Sequence, residues 1–266
     1  MKPDVVALLC DPTTHEPLEL KTEPVARRHS QEFLFNPNTG ERFPIREHIP
    51  IFLNETDASG ANKKYQRMYD RLARFYDLST WLYSRWKGMS VETRLKEYLG
   101  ELEVKAGDRV LEVSVGTGRN LRYLPRGAHF FGLDISWGML KQCQRNTAKR
   151  GLEANLFMGA AERLPFKDGS FDVVFHFGGI NFFNDKAAAI REMVRVAKSG
   201  TKFVIGDENE ELAKRYENLP VTGGFYGNRK EAISAPIDLL PPGMQEVHVK
   251  DIAGGDLYCL TFRKPR

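Results

Sequence analysis

The stretch VLEVSVGTGRN, residues 110–120, decides the fold. It opens as an apolar, β-rich run and closes on a polar stretch of helical character, with Gly116 and Gly118 in the small-residue turn between them. A glycine-rich turn between a strand and a helix lets a ligand come close to backbone N–H groups, because side chains would otherwise block the approach. Asp134 ends the next apolar run, 16 residues beyond Gly118. An acidic residue at that place accepts the hydroxyl hydrogens of a ribose, so a nucleoside-containing ligand is expected. A dinucleotide turn wants GxGxxG, and this frame reads Ser114, Gly116 and Arg119, which does not favour a pyrophosphate.

Outward from this turn, β-rich runs alternate with helical patterns, the mark of a parallel sheet with helices on both faces. Strands are predicted at 108–113, 129–134, 154–158, 171–177 and 201–207. Ser136 is placed to cap a helix that runs to about Arg150 and stops at Gly151, and Asp185 to open one closed by Gly200. EVHVKD and LYCLTFRK, separated by IAGGD, read as an antiparallel hairpin at the sheet edge. The fold class is therefore α/β: a Rossmann-like seven-stranded sheet, mostly parallel with an antiparallel C-terminal hairpin, plus a small N-terminal module. The module is predicted over 1–56 and the main domain over 61–266. Ahead of the sheet, residues 61–86 carry Tyr65, Met68, Tyr69, Leu72, Phe75 and Tyr76 at helical spacing, with Arg67, Arg71 and Arg74 on the other side.

Composition narrows the function classes. The 266 residues hold 39 Lys and Arg against 35 Asp and Glu, and the resulting charge of +4 is too small to mark a polyanion-binding protein by itself. At 41% hydrophobic and 28% charged, the chain is neither disordered nor fibrous. Three scattered cysteines, Cys10, Cys143 and Cys259, exclude a disulfide framework and an all-cysteine metal site. No stretch approaches the roughly 18 apolar residues that span a bilayer, and the initial apolar run is shorter than a signal-peptide core, so a cytoplasmic protein is expected.

Read as an acidic residue followed by alternating small ones, Glu112, Ser114, Gly116 and Gly118 resemble the first motif of class I S-adenosylmethionine-dependent methyltransferases. The resemblance continues in order through GLDIS (132–136), GAAERLPF (159–166), DGSFDVVF (168–175) and REMVRVAKSG (191–200). It is similar above all to the ubiquinone/menaquinone-biosynthesis type and to the bacterial phospholipid N-methyltransferases. The resemblance implies S-adenosylmethionine as cofactor. Glu112 and the turn of Ser114, Gly116, Thr117, Gly118 and Asn120 would hold its methionine part, and Asp134 its ribose. Ile135, Met139, Ala160, Ala161 and Glu162 would surround the adenine. His176 and Phe177 would face the sulfonium and the substrate, and YDRLARFYD (69–77) would bring Tyr69 and Tyr76 to the cofactor mouth. Two positions depart from the family: Ser114 replaces a usual Gly, expected to be a mild steric change, and Ala160 replaces a usual Asp, removing a hydrogen bond worth about 0.5 to 1.5 kcal/mol.

His176 is the candidate general base and Asp207 the second choice, needed where the acceptor must lose a proton. Phe225, Tyr226 and Arg229 are the candidate substrate contacts. LLCDPTTHEPLEL and FNPNTGERFPIREHIPIFL resemble zinc-ribbon-like modules found beside methyltransferases, including those that activate RNA-modifying enzymes. The four ligand positions read Cys10, Thr13, Asn36 and Thr39, and His15, His29 and His48 lack metal-site spacing. No metal is expected, and the module is expected to be held by its apolar residues alone. The expected activity is methyl transfer to a small amphiphilic or aromatic acceptor: a quinone precursor, a lipid headgroup, an amine or a thiol. An RNA methyltransferase and a weak or inactive cofactor-binding protein are the alternatives. DNA is not an expected partner, and the basic side of the 61–86 helix suits an anionic headgroup or membrane surface.

Overall fold

Val110, Leu111 and Val113 are fully buried, as a strand covered on both faces must be. In the computed structural model, which describes residues 1–26, 29–54, 57, 59–86, 91–217 and 232–266, they form the centre of the main sheet. In chain order the elements are α1 (Pro3–Val6), β1 (Glu19–Ala26), β2 (His29–Phe35), β3 (Arg42–Arg46), β4 (Ile49–Pro50), α2 (Gly60–Trp86), α3 (Val91–Leu99), β5 (Arg109–Val113), β6 (His129–Asp134), α4 (Trp137–Lys149), β7 (Ala154–Met158), β8 (Val173–Phe177), α5 (Lys186–Val196), β9 (Lys202–Glu208), α6 (Glu210–Glu217), β10 (Gln245–Ile252) and β11 (Leu257–Arg263). Among the described residues the main sheet has seven strands in the order β10-β11-β9-β8-β5-β6-β7. Strands β5 to β9 pair in parallel, and β11 pairs antiparallel with both β9 and β10. The chain order reverses on either side of β5, and in open α/β sheets the crevice outside the C-terminal strand ends at such a switch point, here those of β5 and β8, is where ligands bind.

Two helices, α4 and α5, begin where the sequence predicts, whereas the helix expected directly after the glycine-rich turn is corrected to a short 3-10 turn over Asn120–Tyr123. Ser136 caps α4 by accepting from Met139 N–H, and Asp185 caps α5 by accepting from Ala188 N–H. The predicted end of α5 at Gly200 is corrected: the helix stops at Val196, because Ala197 turns extended and bridges Phe171. That pairing holds Phe171 outside the regular part of β8, which starts at Val173.

Among the described residues the N-terminal part forms a four-stranded antiparallel sheet in the order β1-β2-β3-β4. Its packing runs straight into the main sheet across the predicted division. Ile51 bridges Met158 in parallel, Phe52 N–H donates to Met158 O at 2.7 Å, and Leu9 bridges Phe166. Leu9, Leu34, Phe43 and Phe52 share one apolar cluster with Phe131, Phe157 and Phe166.

The expectation that apolar residues alone hold this unit is corrected. Asp11 and Asn36 are both fully buried, and Asn36 Nδ2 donates to Asp11 Oδ2 at 2.8 Å. Asp11 Oδ1 accepts from the N–H groups of Thr13 and Thr14, while Asn36 Oδ1 accepts from those of Asn38 and Thr39. A polar bridge thus ties together the two turns that carry the predicted ligand positions. Asn36→Ala leaves Oδ2 of the buried Asp11 carboxylate without its donor, and a cost of about 1.5 to 3 kcal/mol is expected. Urea unfolding measures it; a loss below about 0.5 kcal/mol would show that the turn amides suffice without the bridge.

Candidate active site

After β5 the chain enters a turn in which Ser114, Gly116 and Gly118 all have positive φ, at 62°, 54° and 71°. Ser114 is thus more than the mild steric change expected. A left-handed backbone costs a non-glycine residue roughly 1 to 2 kcal/mol, so the turn is strained at its first residue. At Gly118 a Cβ would lie 2.5 Å from Cys143 Sγ, so α4 packs against bare backbone there.

Asp134, at the end of β6, reaches back to this turn. Its Oδ2 accepts from Gly116 N–H at 2.8 Å and its Oδ1 from Ser136 N–H at 2.9 Å. Burial nevertheless pushes its carboxyl up to about 6. Glu112 is buried more severely. Its Oε1 accepts from Asn120 Nδ2, and Asn120 in turn accepts from Tyr98 OH on α3. Its Oε2 is buried with no hydrogen-bond partner. Burial pushes this carboxyl up to about 8, opposed by the Asn120 bond and reinforced by the charge of Asp134. Two acids that resist ionising, one with an unused oxygen, make a site that favours an incoming cation.

Helix α2 lies over the turn and is latched to it by acidic residues. Asp70 Oδ1 accepts from Ser136 Oγ at 2.6 Å and from Gly138 N–H at 2.8 Å. A Cβ on Gly138 would stand 2.9 Å from Asp70 O, so only glycine admits the helix this closely. Asp77 accepts from Thr117 Oγ1 at 2.7 Å, from Arg119 at 3.1 Å and from Asn146 Nδ2 at 2.9 Å. The rings of Tyr69 and Tyr76 meet edge-on at 6.1 Å, and burial raises both hydroxyl pKa values. Tyr65 stacks on Phe182 in the turn after β8, with centroids 4.2 Å apart.

His176, on β8, is fully buried; Nδ1 lies 2.9 Å from Val113 O, a contact only a protonated nitrogen makes, which leaves Nε2 as the unprotonated nitrogen. Nε2 is buried without a partner, and burial lowers the imidazole pKa below its usual value. Asp207 accepts from the N–H groups of Gly179, Asn181 and Glu208. It therefore fastens the turn after β8 rather than presenting a free carboxylate. Asn181 Oδ1 and Tyr258 OH are further buried atoms without a hydrogen-bond partner.

Other expected residues are placed as follows. Met139, Ala160 and Ala161 are buried and Ile135 is half-buried, while Phe177 stacks on Tyr98 at 3.7 Å. Glu162 is drawn elsewhere: its Oε1 accepts from Asn62 and from Asn184 N–H, tying the start of α2 to the approach to α5. Phe225, Tyr226 and Arg229 fall in 218–231, outside the described residues. Sequence reasoning missed Asp70, Asp77, Asn146, Asn181 and Tyr258. The signal for the first two was present, since Tyr-Asp recurs at 69–70 and 76–77, two helical turns apart.

Residues 111–205 match the family model described as a methyltransferase domain. The ubiquinone/menaquinone biosynthesis C-methyltransferase UbiE of Stenotrophomonas maltophilia (strain R551-3) is 31% identical over 74% of this chain and 88% of its own length. The corresponding protein of Xanthomonas campestris pv. campestris is 37% identical over the same shares. A solved S-adenosylmethionine-dependent methyltransferase of Thermotoga maritima is 24% identical, has a TM-score of 0.57, and spans 75% of this chain and 99% of that one. Fold, motif and relatives define an S-adenosylmethionine-dependent methyltransferase. The chain belongs to the ubiquinone/menaquinone-biosynthesis methyltransferase family.

The residues present fit the cofactor's chemistry. The unpartnered Glu112 Oε2 suits an ammonium, and a Cβ placed on Gly116 would meet no atom within 4 Å, so that side of the turn leaves room for a ligand. Among the described residues no group of three His, Cys, Asp or Glu is arranged to hold a metal ion.

The raised Glu112 pKa sets a pH dependence. The folded cofactor-free protein keeps a proton that the unfolded chain releases, so stability present at low pH is lost as pH rises from about 4.5 through about 8. Asp134 acts in the same direction but only up to about 6, and His176, with a lowered pKa, acts in the opposite direction only below 6.5. The decline between pH 6.5 and 8 therefore belongs to Glu112, with a slope of at most about 1.4 kcal/mol per pH unit. Denaturant unfolding of Glu112→Gln should be flat across this interval. An unchanged slope would place the titrating proton on another group.

Proposed function

We propose that this methyltransferase acts on a small amphiphilic or aromatic acceptor, with a quinone precursor as the leading candidate. The observation that carries the reading is the aromatic enclosure at the crevice: Tyr65 stacked on Phe182, the Tyr69 and Tyr76 pair, and Phe183 5.2 Å from the His176 ring. Such a wall favours a flat apolar body, while the buried polar atoms of His176, Asn181 and Tyr258 suit the few polar groups of a ring-borne acceptor. Relatives named for ubiquinone and menaquinone biosynthesis support the same choice.

When bound, S-adenosylmethionine supplies an electrophilic methyl group on a sulfonium. On this proposal Glu112 holds the ammonium of its methionine part, against the turn of Ser114, Gly116, Thr117, Gly118 and Asn120. Asp134 accepts from the ribose hydroxyls, and Met139, Ile135, Ala160 and Ala161 pack around the adenine. Tyr69 and Tyr76 close the mouth and exclude water, which strengthens every electrostatic contact inside. His176 Nε2 takes the proton from an acceptor that must lose one, its unprotonated state enforced by the Nδ1 bond to Val113 O. Asp207 positions the turn of Gly179 and Asn181. Phe225, Tyr226 and Arg229 remain proposed substrate contacts.

Calorimetry with S-adenosylmethionine on Asp134→Ala should show affinity at least tenfold lower, roughly 1.4 kcal/mol or more. Because Asp134 also anchors Gly116 and Ser136, Asp134→Asn is the partner variant; wild-type affinity in both, with intact folding, would sink the ribose assignment.

The acceptor is tested by supplying labelled cofactor to total RNA and, in parallel, to a lipid and small-molecule extract. Label should enter the extract, with a product of quinone-precursor mass, and His176→Gln should slow the transfer about a hundredfold. Label in RNA, suppressed by moderate salt, would overturn the proposal.

A further inference from the structure

We infer that the outer face of α2 docks on an anionic lipid bilayer. The face is apolar where a soluble protein has little reason to be: Phe75 is 64% exposed, Leu78 54%, Leu82 53%, Trp81 51% and Leu72 41%. The sequence pattern groups Leu72 and Phe75 with Tyr65 on an inner face, yet both are exposed: Leu72 sits at the margin of that face, while Phe75, Leu78, Trp81 and Leu82 occupy the C-terminal half of the helix on the side away from the buried Tyr65 and Ala73. The same side carries exposed basic residues: Lys63, Arg67 and Arg71 before the apolar group, Arg74 within it and Arg85 after it. The guanidinium of Arg85 lies 5.9 Å from the centre of the Trp81 ring.

Charge selects the occupant. Helix α2 contains two acidic residues, Asp70 and Asp77, and both are engaged by the site turn and α4 through Ser136, Gly138, Thr117, Arg119 and Asn146. The outer face is thus cationic as well as apolar. A second copy of this face would bring arginine against arginine in a two-fold contact, which disfavours self-association. Aromatic and aliphatic side chains flanked by Lys and Arg are the composition of a helix lying in the headgroup plane of an anionic membrane. The inner face of the same helix carries Tyr65, Tyr69 and Tyr76 at the crevice, so docking would set the mouth of the site beside the bilayer surface. The inference holds whatever the acceptor is, and its test uses none.

The test is flotation of the full-length protein with vesicles of phosphatidylcholine alone or of phosphatidylcholine with phosphatidylglycerol. The protein should rise with the anionic vesicles only and be released by high salt. Phe75→Ser with Trp81→Ser, and Arg67→Glu with Arg71→Glu and Arg74→Glu, should each lower partitioning at least tenfold while melting temperature and cofactor affinity stay at wild-type values. Equal binding to neutral vesicles, or unchanged binding by both variants, would overturn it. So would a dimer that Phe75→Ser with Trp81→Ser disperses. Failure of acrylamide to quench Trp81 without vesicles, read as the difference from Trp81→Phe, would overturn it by showing that the chain itself covers the face.

Discussion

The carboxylate of Asp134 is bonded at one oxygen to Gly116 N–H and at the other to Ser136 N–H. One side chain thereby sets the spacing of the loops that follow β5 and β6. The left-handed turn at 114–118 has few conformations compatible with its neighbours, and this bond holds it in one of them. Ser136, fixed on its N–H side, caps α4 with its hydroxyl oxygen, and its hydroxyl hydrogen goes to Asp70 of α2. Sheet, turn, capped helix and covering helix are linked through a single buried acid.

The same arrangement works against stability. Glu112 and Asp134 are both nearly free of solvent, both are pushed toward the neutral form, and Glu112 leaves an oxygen without a donor. Buried polar atoms in that condition cost free energy, and they persist where a ligand relieves them. His176 Nε2, Asn181 Oδ1 and Tyr258 OH extend the pattern toward β8, β9 and β11. The positive φ of Ser114 adds backbone strain in the same few ångströms. The surrounding apolar sheet, with Val110, Leu111, Val174, Phe175 and Ile205 fully buried, offsets these local costs.

The N-terminal unit contributes where a doubly wound sheet is weakest. Strand β7 stands at an edge, and an unprotected edge invites pairing with other chains. Here Ile51 and Phe52 pair with Met158, so the chain's own N-terminal part covers the edge where β7 gives way to Gly159, Ala160 and Ala161. Asp57 adds a bond to Arg163 at 2.6 Å, with Asp57 itself buried. The Asp11–Asn36 bridge keeps this cover in shape.

The sequence alone determined the periodic elements and the residues at strand ends. Runs such as VLEV and FFGLD can be satisfied only by burial on both faces, and Gly116, Gly118 and Asp134 sit where a parallel sheet exposes its strand ends; these are local constraints, visible at short range. Tertiary structure decided what depends on residues distant in the chain. Glu162 stands beside the adenine motif, yet Asn62 and Asn184 draw it away. Asp207 ends a strand like a catalytic acid, yet three backbone N–H groups occupy it. Asp70 and Asp77 look like ordinary surface acids of an amphipathic helix until Ser136 and Thr117 meet them. A side chain's role follows from its partners, and partners as far as 100 residues away in sequence carry no periodicity by which they could be read.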